Sequence, residues 1–251
     1  MQTYRARRLL RADRRGSSWP VILETDAGLF YTKLRGVAQG PTTLIAELIV
    51  GALADALGLS VPARVLIDLP SELPTDDRND ELADLVQASA GVNLGFQLLP
   101  DVRDFQPSDL DLVTAELAST IVWLDGLVLN PDRTSRNPNL LWSHGQLWLI
   151  DHGACLGFHH DWTGVTEAAP RVPGFPMRAH VLAGRATRLE ELDQVLSEAL
   201  DRPVLEAVVE AVPEEFLAAT RGPFPVSRRR AAYVGFLRKR LRPPRPFVAL
   251  G

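Results

Sequence analysis

Two acids and an amide carry the chemistry this sequence can do. Asp132 lies in Asn130-Pro131-Asp132-Arg133-Thr134-Ser135-Arg136-Asn137, with the amide of Asn137 five residues on. A second acid, Asp151, follows one short hairpin-like stretch, in Leu149-Ile150-Asp151-His152-Gly153. Phosphoryl transfer asks a protein mainly to position groups and neutralise charge. One carboxylate must accept or orient the acceptor hydroxyl, while an amide and another carboxylate hold Mg²⁺ on the phosphates. Asp132, Asn137 and Asp151 fit those roles in that order. Each half alone reads as ordinary structure, Asn-Pro-Asp as a turn and Asp151 as a cap. The order and spacing of the two together favour chemistry.

Such a site needs a cation for the phosphates of a nucleotide. The chain has 27 basic residues, all Arg except Lys33 and Lys239, so a Lys within a strand is notable for its compact ammonium. Lys33 is the candidate, and it needs a carboxylate to orient it. Glu47, flanked by Ile45, Ala46, Leu48 and Ile49, reads as a partly buried acid in need of a partner. The Gly16-Ser17-Ser18 turn could cover the phosphates with backbone N–H groups, although as a motif it is common. No G-x-x-x-x-G-K-[ST] element is present, which argues against a P-loop NTPase.

Other candidates take plainer readings. His159-His160-Asp161 has no matching Cys or His pair elsewhere and reads as a polar loop rather than a metal site. Cys155 reads as a small core residue, and being the only cysteine it can form no internal disulfide. Arg228-Arg229-Arg230 and Arg238-Lys239-Arg240 read as a solvated helix face. Trp123, Trp142 and Trp148 are expected in the core.

The elements that must position these groups follow from local pattern. Residues 4–12, Pro20–Glu24 and Leu29–Leu34 read as strands, the last two joined at Asp26-Ala27-Gly28. A helix capped by Thr42 or Thr43 carries Glu47 and stops at Gly58. Val61–Ile67 and Gly91–Leu99 read as further strands, with residues 70–82 as an acidic surface insertion. Leu110–Leu129 reads as a long buried helix leading into the Asp132 loop, and residues 140–150 as a hairpin ending at Asp151. Residues 187–220 look helical with breaks at Pro203 and Pro213, and residues 227–242 form an Arg-rich helix. Strands first and helices later predict an α+β fold. With 251 residues, 46% hydrophobic and 23% charged, the chain is long enough for two lobes. No apolar run reaches the ~18 residues of a membrane span, and no secretory signal is evident, so a cytoplasmic location is expected. A net charge of −4 gives no argument for a nucleic-acid site.

At these residues the sequence resembles the HipA-like kinases of the short bacterial kind, and more widely the protein-kinase and phosphatidylinositol-kinase-like folds. The likeness runs through Gly16-Ser17-Ser18 with Pro20, Tyr31-Thr32-Lys33-Leu34-Arg35-Gly36, Gln39-Gly40-Pro41 to Ala46-Glu47-Leu48, and Ala56-Leu57-Gly58-Leu59. Its most specific parts are Asn130-Pro131-Asp132-Arg133 with Arg136-Asn137-Pro138-Asn139, and Leu147-Trp148-Leu149-Ile150-Asp151-His152-Gly153. The resemblance implies ATP, Mg²⁺ and a two-lobed kinase-like fold. Residues 1–100 would be a small β-rich N-lobe with one helix that binds the nucleotide, and residues 101–251 a larger, mainly helical C-lobe. It implies Asp132 as the catalytic Asp, Asn137 and Asp151 as metal ligands, Lys33 on the nucleotide and Glu47 as its partner. There are departures. Arg133 follows the catalytic Asp in place of a His-Arg-Asp triplet, and Asp151-His152-Gly153 replaces Asp-Phe-Gly. The longer toxin-type members carry an additional N-terminal segment, so a toxin role and its antitoxin partner are not carried over. The acceptor stays open among protein Ser/Thr, lipid and small-molecule hydroxyls. Two alternatives stand beside a phosphotransferase: a non-catalytic ATP-binding signalling module, and a nucleotidyl transferase moving AMP.

Overall fold

The computed structural model describes residues 1–13, 19–37, 39–77, 79–166, 168–171, 177–220 and 222–248. The fold is mixed α+β, with strands gathered early and helices late. The chain divides into two compact units, one of Met1–Ile45 with Pro62–Pro100, the other of Ala46–Val61 with Asp101–Gly251.

In the first unit five strands close into a barrel: Thr3–Ala12 (β1), Val21–Thr25 (β2), Gly28–Lys33 (β3), Arg64–Leu69 (β4) and Gly91–Gln97 (β5), in the order β1-β2-β3-β5-β4. The expected β2–β3 hairpin pairs Thr25 with Gly28, whose φ of 115° is open to glycine and strained for other residues. Parallel pairing of β1 with β4 closes the barrel and leaves no open sheet edge. Inward residues of β2 alternate, Val21, Leu23 and Thr25, as a half-buried strand requires. Val21 and Leu23 pack with Ala6, Leu9, Ile67 and Leu69, and with Leu82 and Val86 of a helix at Asp80–Ala88 (α2).

Residues 70–82 lie mostly at the surface, as expected, and α2 takes in their last three. Asn79 accepts from Leu82 N at 3.1 Å and caps α2, and Leu9 N donates to Pro74 O at 2.9 Å, tying the segment to β1. Two buried positions four apart suffice to dock an otherwise acidic helix. One correction concerns the preceding helix, Pro41–Ala56 (α1), which starts at Pro41 and not after a Thr cap. Proline suits a first helical position, because its missing N–H has no intrahelical partner there anyway. Thr42 lies inside and its hydroxyl donates to Gln39 O at 2.6 Å. The stop at Gly58 holds, with φ of 72° and Leu59 N donating to Ala54 O at 2.9 Å.

The second unit contains a small sheet of Arg103–Asp104 (β6), Leu140–Ser143 (β7) and Gln146–Leu149 (β8), in that order, and helices Ala115–Val128 (α3), Leu189–Ala199 (α4), Arg202–Glu210 (α5), Glu214–Ala219 (α6) and Val226–Leu241 (α7). The expected helix over 110–129 splits in two. Pro107–Leu112 is a 3-10 turn, and Thr114 caps α3 by accepting from Leu117 N at 3.1 Å. From Ala118 to Val128 every residue of α3 is buried, so apolar residues surround the helix on all sides. The expected breaks near Pro203 and Pro213 hold: the run divides into α4, α5 and α6, with Pro203 in the first turn of α5 and Pro213 just before α6, where proline is tolerated.

The Arg-rich α7 is not a solvated face throughout. Arg229 and Arg240 are buried. Arg229 donates to Thr220 O at 2.8 Å and Gly222 O at 2.7 Å, satisfying carbonyls past the end of α6. His159 likewise departs from the polar-loop reading. It is buried, with Nδ1 2.9 Å from Tyr233 Oη. Trp123 and Cys155 are buried as expected, while Trp142 and Trp148 are only half-buried. Among the described residues no helix is long and apolar enough to cross a membrane.

Candidate active site

The second unit brings the Asp132 loop and the Asp151 strand end into one hydrogen-bonded frame, and its centre is a residue the sequence reading passed over. Asp125 lies in the last turn of α3 with no solvent exposure. Its Oδ1 accepts from Asn130 Nδ2 at 2.8 Å, and its Oδ2 accepts from Arg133 Nε at 2.6 Å and His180 Nε2 at 2.9 Å. Burial alone would raise the Asp125 pKa; the Arg133 charge, reinforced by the hydrogen bond from His180, outweighs it and holds the carboxyl well below its usual range. His180 Nδ1 accepts from Leu182 N at 3.0 Å, so the ring proton sits on Nε2 and points to Asp125.

From this hub the loop is built outward. α3 ends at Leu129 in the left-handed region, φ 58°, which turns the chain sharply into Asn130. Asn130 Oδ1 accepts from Asp132 N at 3.0 Å and fixes the Asp132 backbone. The half-buried Asp132 carboxylate accepts on Oδ2 from Asn137 Nδ2 at 2.9 Å and from Asn139 Nδ2 at 3.2 Å. Asn137 thus meets Asp132 as the spacing suggested, and its Oδ1 is the atom with which it could ligate a metal. Asn139 was missed as a site residue, although the Asn137-Pro138-Asn139 run was the available signal.

Asn139 also links the two halves. Its carbonyl accepts from Ile150 N at 3.1 Å and from Arg133 Nη1, which reaches Ile150 O at 3.4 Å as well. Asp151 is the next residue. It is partly exposed and adopts φ of 56°, a conformation Asp tolerates better than most residues. Arg133, fully buried, therefore ties Asp125, the loop and the strand end before Asp151 together. A Lys could not span three such acceptors with one compact head group.

Glu47 on α1 is buried, as its apolar flanks implied, and His152 Nδ1 stands 3.4 Å from its Oε2. The residue that replaces Phe after Asp151 thus faces a carboxylate. Lys33 ends β3 in the first unit, also buried, with Nζ 6.0 Å from the Phe96 ring centroid. Gly16, Ser17 and Ser18 lie outside the described residues. Burial pushes the Cys155 thiol well above its ordinary pKa, which leaves it a core residue and no nucleophile.

Among the described residues no cluster of three or more His, Cys, Asp or Glu side chains forms a ready metal cage. The available donors are hard oxygens, the Asp151 carboxylate and the Asn137 amide. That set suits Mg²⁺, which takes one or two protein ligands and completes its shell with water and phosphate oxygens.

The crystal structure of the Helicobacter pylori proinflammatory kinase CtkA is similar in fold, with a TM-score of 0.50 over 88% of this chain and 94% of that one, at 13% sequence identity. No curated protein sequence matched. The HipA-like kinase family matches residues 7–228, with the Asp132 loop and the Asp151 strand end inside the matched span. The chain belongs to the HipA-like kinase family.

Proposed function

We propose that the chain is an ATP- and Mg²⁺-dependent phosphotransferase that moves the γ-phosphate to a hydroxyl acceptor. The observation that carries this reading is the 2.9 Å contact of Asn137 with Asp132, on a loop locked to the buried Asp125. Bound Mg²⁺-ATP would supply the phosphoryl group and a metal to neutralise its charge. Asp132 is assigned to orient the acceptor hydroxyl and take its proton. Asn137 Oδ1 and the Asp151 carboxylate are assigned to the metal. Lys33 is assigned to the phosphates, with Glu47 orienting it and the Gly16-Ser17-Ser18 turn covering them. Asn139 keeps Asp132 aimed, because its amide donates to the same carboxylate oxygen as Asn137.

The acceptor falls among molecules with a free hydroxyl, protein Ser/Thr included. The first test is thermal unfolding with Mg²⁺ and ATP. A ligand at ~100 times its Kd adds about 2.7 kcal/mol of stability, which raises the melting temperature by several degrees. The shift should need both components. No shift at saturating Mg²⁺-ATP contradicts the reading. Intact-mass analysis after incubation should show phosphoryl adducts on an acceptor, and adenylyl adducts instead would contradict γ-phosphate transfer.

A further inference from the structure

The last turn of a helix leaves four carbonyls without intrahelical partners. In α3 three of them, at Gly126, Leu127 and Val128, find partners elsewhere, and the partners are informative. Asp125 O accepts from Leu129 N at the helix end and from Asn130 N at 2.9 Å, and Val128 O accepts from Leu156 N at 2.8 Å. The two between them are served by one side chain: Arg240 Nη2 donates to Gly126 O at 2.6 Å and Arg240 Nε to Leu127 O at 2.6 Å. Arg240 Nη1 donates to Pro170 O at 2.8 Å, in the 3-10 turn Ala169–Arg171. Arg240 is fully buried, and its guanidinium lies 5.0 Å from the centroid of the Phe247 ring. Phe247 in turn packs edge-on against Trp123 of α3, ring centroids 5.5 Å apart. Family similarity ends at residue 228, so both Arg240 and Phe247 lie past the matched span.

We propose that Arg240 is a positioning residue for phosphoryl transfer, acting through the last turn of α3 on the loop that carries Asp132. The physical chain is short. Gly126 and Leu127 directly follow Asp125, which anchors Asn130, Arg133 and His180. Asn130 fixes the Asp132 backbone. Loss of the guanidinium takes the donor from three carbonyls, two of them on the last turn of α3, and removes a cation from a helix C-terminus. The least costly response is fraying of that turn, which loosens Asn130 and swings Asp132 away from its place. Misplacement of a catalytic group by about 1 Å costs up to about a hundredfold in rate.

The inference rests on the phosphotransferase reading for its catalytic consequence, and its structural consequence is read separately. The test compares the full-length wild type with Arg240→Met and Arg240→Lys, well below their melting temperatures. Amide hydrogen exchange across residues 129–139 should quicken by about tenfold in Arg240→Met, with a smaller change in Arg240→Lys. The rate constant for Mg²⁺-ATP turnover should fall by about tenfold or more, and by more than KM for ATP changes. A lowered melting temperature with unchanged loop exchange and unchanged kcat would make Arg240 purely structural and overturn the proposal. If Arg240→Met shows no cooperative unfolding, Arg240→Lys decides by the same two readouts. If the wild type turns over no ATP, the phosphotransferase reading fails, and exchange in the loop still decides whether Arg240 holds it.

Discussion

Arg133 Nε stands 2.6 Å from Asp125 Oδ2, and neither side chain exposes any surface. The pair is eight residues apart in sequence and joins the end of a buried helix to the loop it feeds. Taking two charges out of water is costly, and such a pair is worth keeping only when further hydrogen bonds complete it. Here Asn130 and His180 occupy the remaining carboxylate positions, and Asn139 O and Ile150 O engage Arg133 Nη1, while Nη2 has no hydrogen-bond partner among the described residues. The ion pair thereby fixes the frame in which Asp132 and Asp151 are held.

Breaking this pair from one side strands the other charge. Asp125→Asn should destabilise the protein by about 3–5 kcal/mol, measured by urea unfolding at pH 7. The folded pKa of Asp125 lies below its unfolded value, about 3.9, so its contribution is present above that value and fades as pH falls toward the folded one. The difference between wild type and Asp125→Asn should therefore shrink as pH is lowered below about 4. A difference that stays constant down to the acid limit would show that Asp125 is not held ionised.

His180 reaches Asp125 from 55 residues downstream, and Thr134 and His180 form an antiparallel bridge beside it. Loss of the Nε2 donor in His180→Leu should cost about 1–3 kcal/mol. His180→Gln places an amide N–H near the same point and should recover part of that loss. Equal destabilisation by Leu and Gln would indicate packing rather than the hydrogen bond.

Gly126 gives a steric prediction. In an open helix Gly→Ala gains up to about 1 kcal/mol. At this position a Cβ would lie 2.8 Å from Phe247 Cβ. Overpacking of about 1–3 kcal/mol therefore outweighs propensity, and Gly126→Ala should be destabilising. Phe247→Gly in the same chain removes that Cβ and should relieve the clash, so the two changes together should cost less than their sum in thermal unfolding.

Burial, with a smaller contribution from His160, pushes the His159 pKa down to about 3. Unfolded histidine titrates near about 6.5, so the unfolded state binds the extra proton between the two values. Stability attributable to His159 is full above about pH 6.5 and is lost as pH falls toward 3, by up to about 1.4 kcal/mol per pH unit. His159→Asn should flatten the decline between pH 6.5 and 4.5 in urea unfolding. An unchanged slope would mean that the buried ring does not drive it.

The meeting of Asp132 with Asn137 was legible because its information is local, carried in their spacing, and Asn139 links that loop to the strand end before Asp151. The barrel strands were legible from alternation, while their closure through a parallel β1–β4 pair was not, since alternation says nothing about partners. Asp125 offered a weak signal, one acid inside an apolar helix, but its partners come from the loop and from His180. Arg240 offered less. Its carbonyl partners on α3 are 113 and 114 residues away, and helical spacing alone made it a surface residue. Neighbours Tyr233, Phe236 and Leu237, buried on the same helix, were the available clue. Glu47 read correctly as a buried acid, yet His152 beside it could not be foreseen from two segments a hundred residues apart.

The measurement closest to the central claim is Mg²⁺-dependent formation of ADP from ATP by the wild type and by Asp132→Asn, with Mg²⁺-ATP binding followed in parallel by thermal shift. Wild type should turn ATP over only with Mg²⁺ present. Asp132→Asn should keep the Mg²⁺-ATP shift and lose turnover by about 10²–10⁴-fold, the range of a positioned acid–base group. Equal turnover by both proteins would contradict the account.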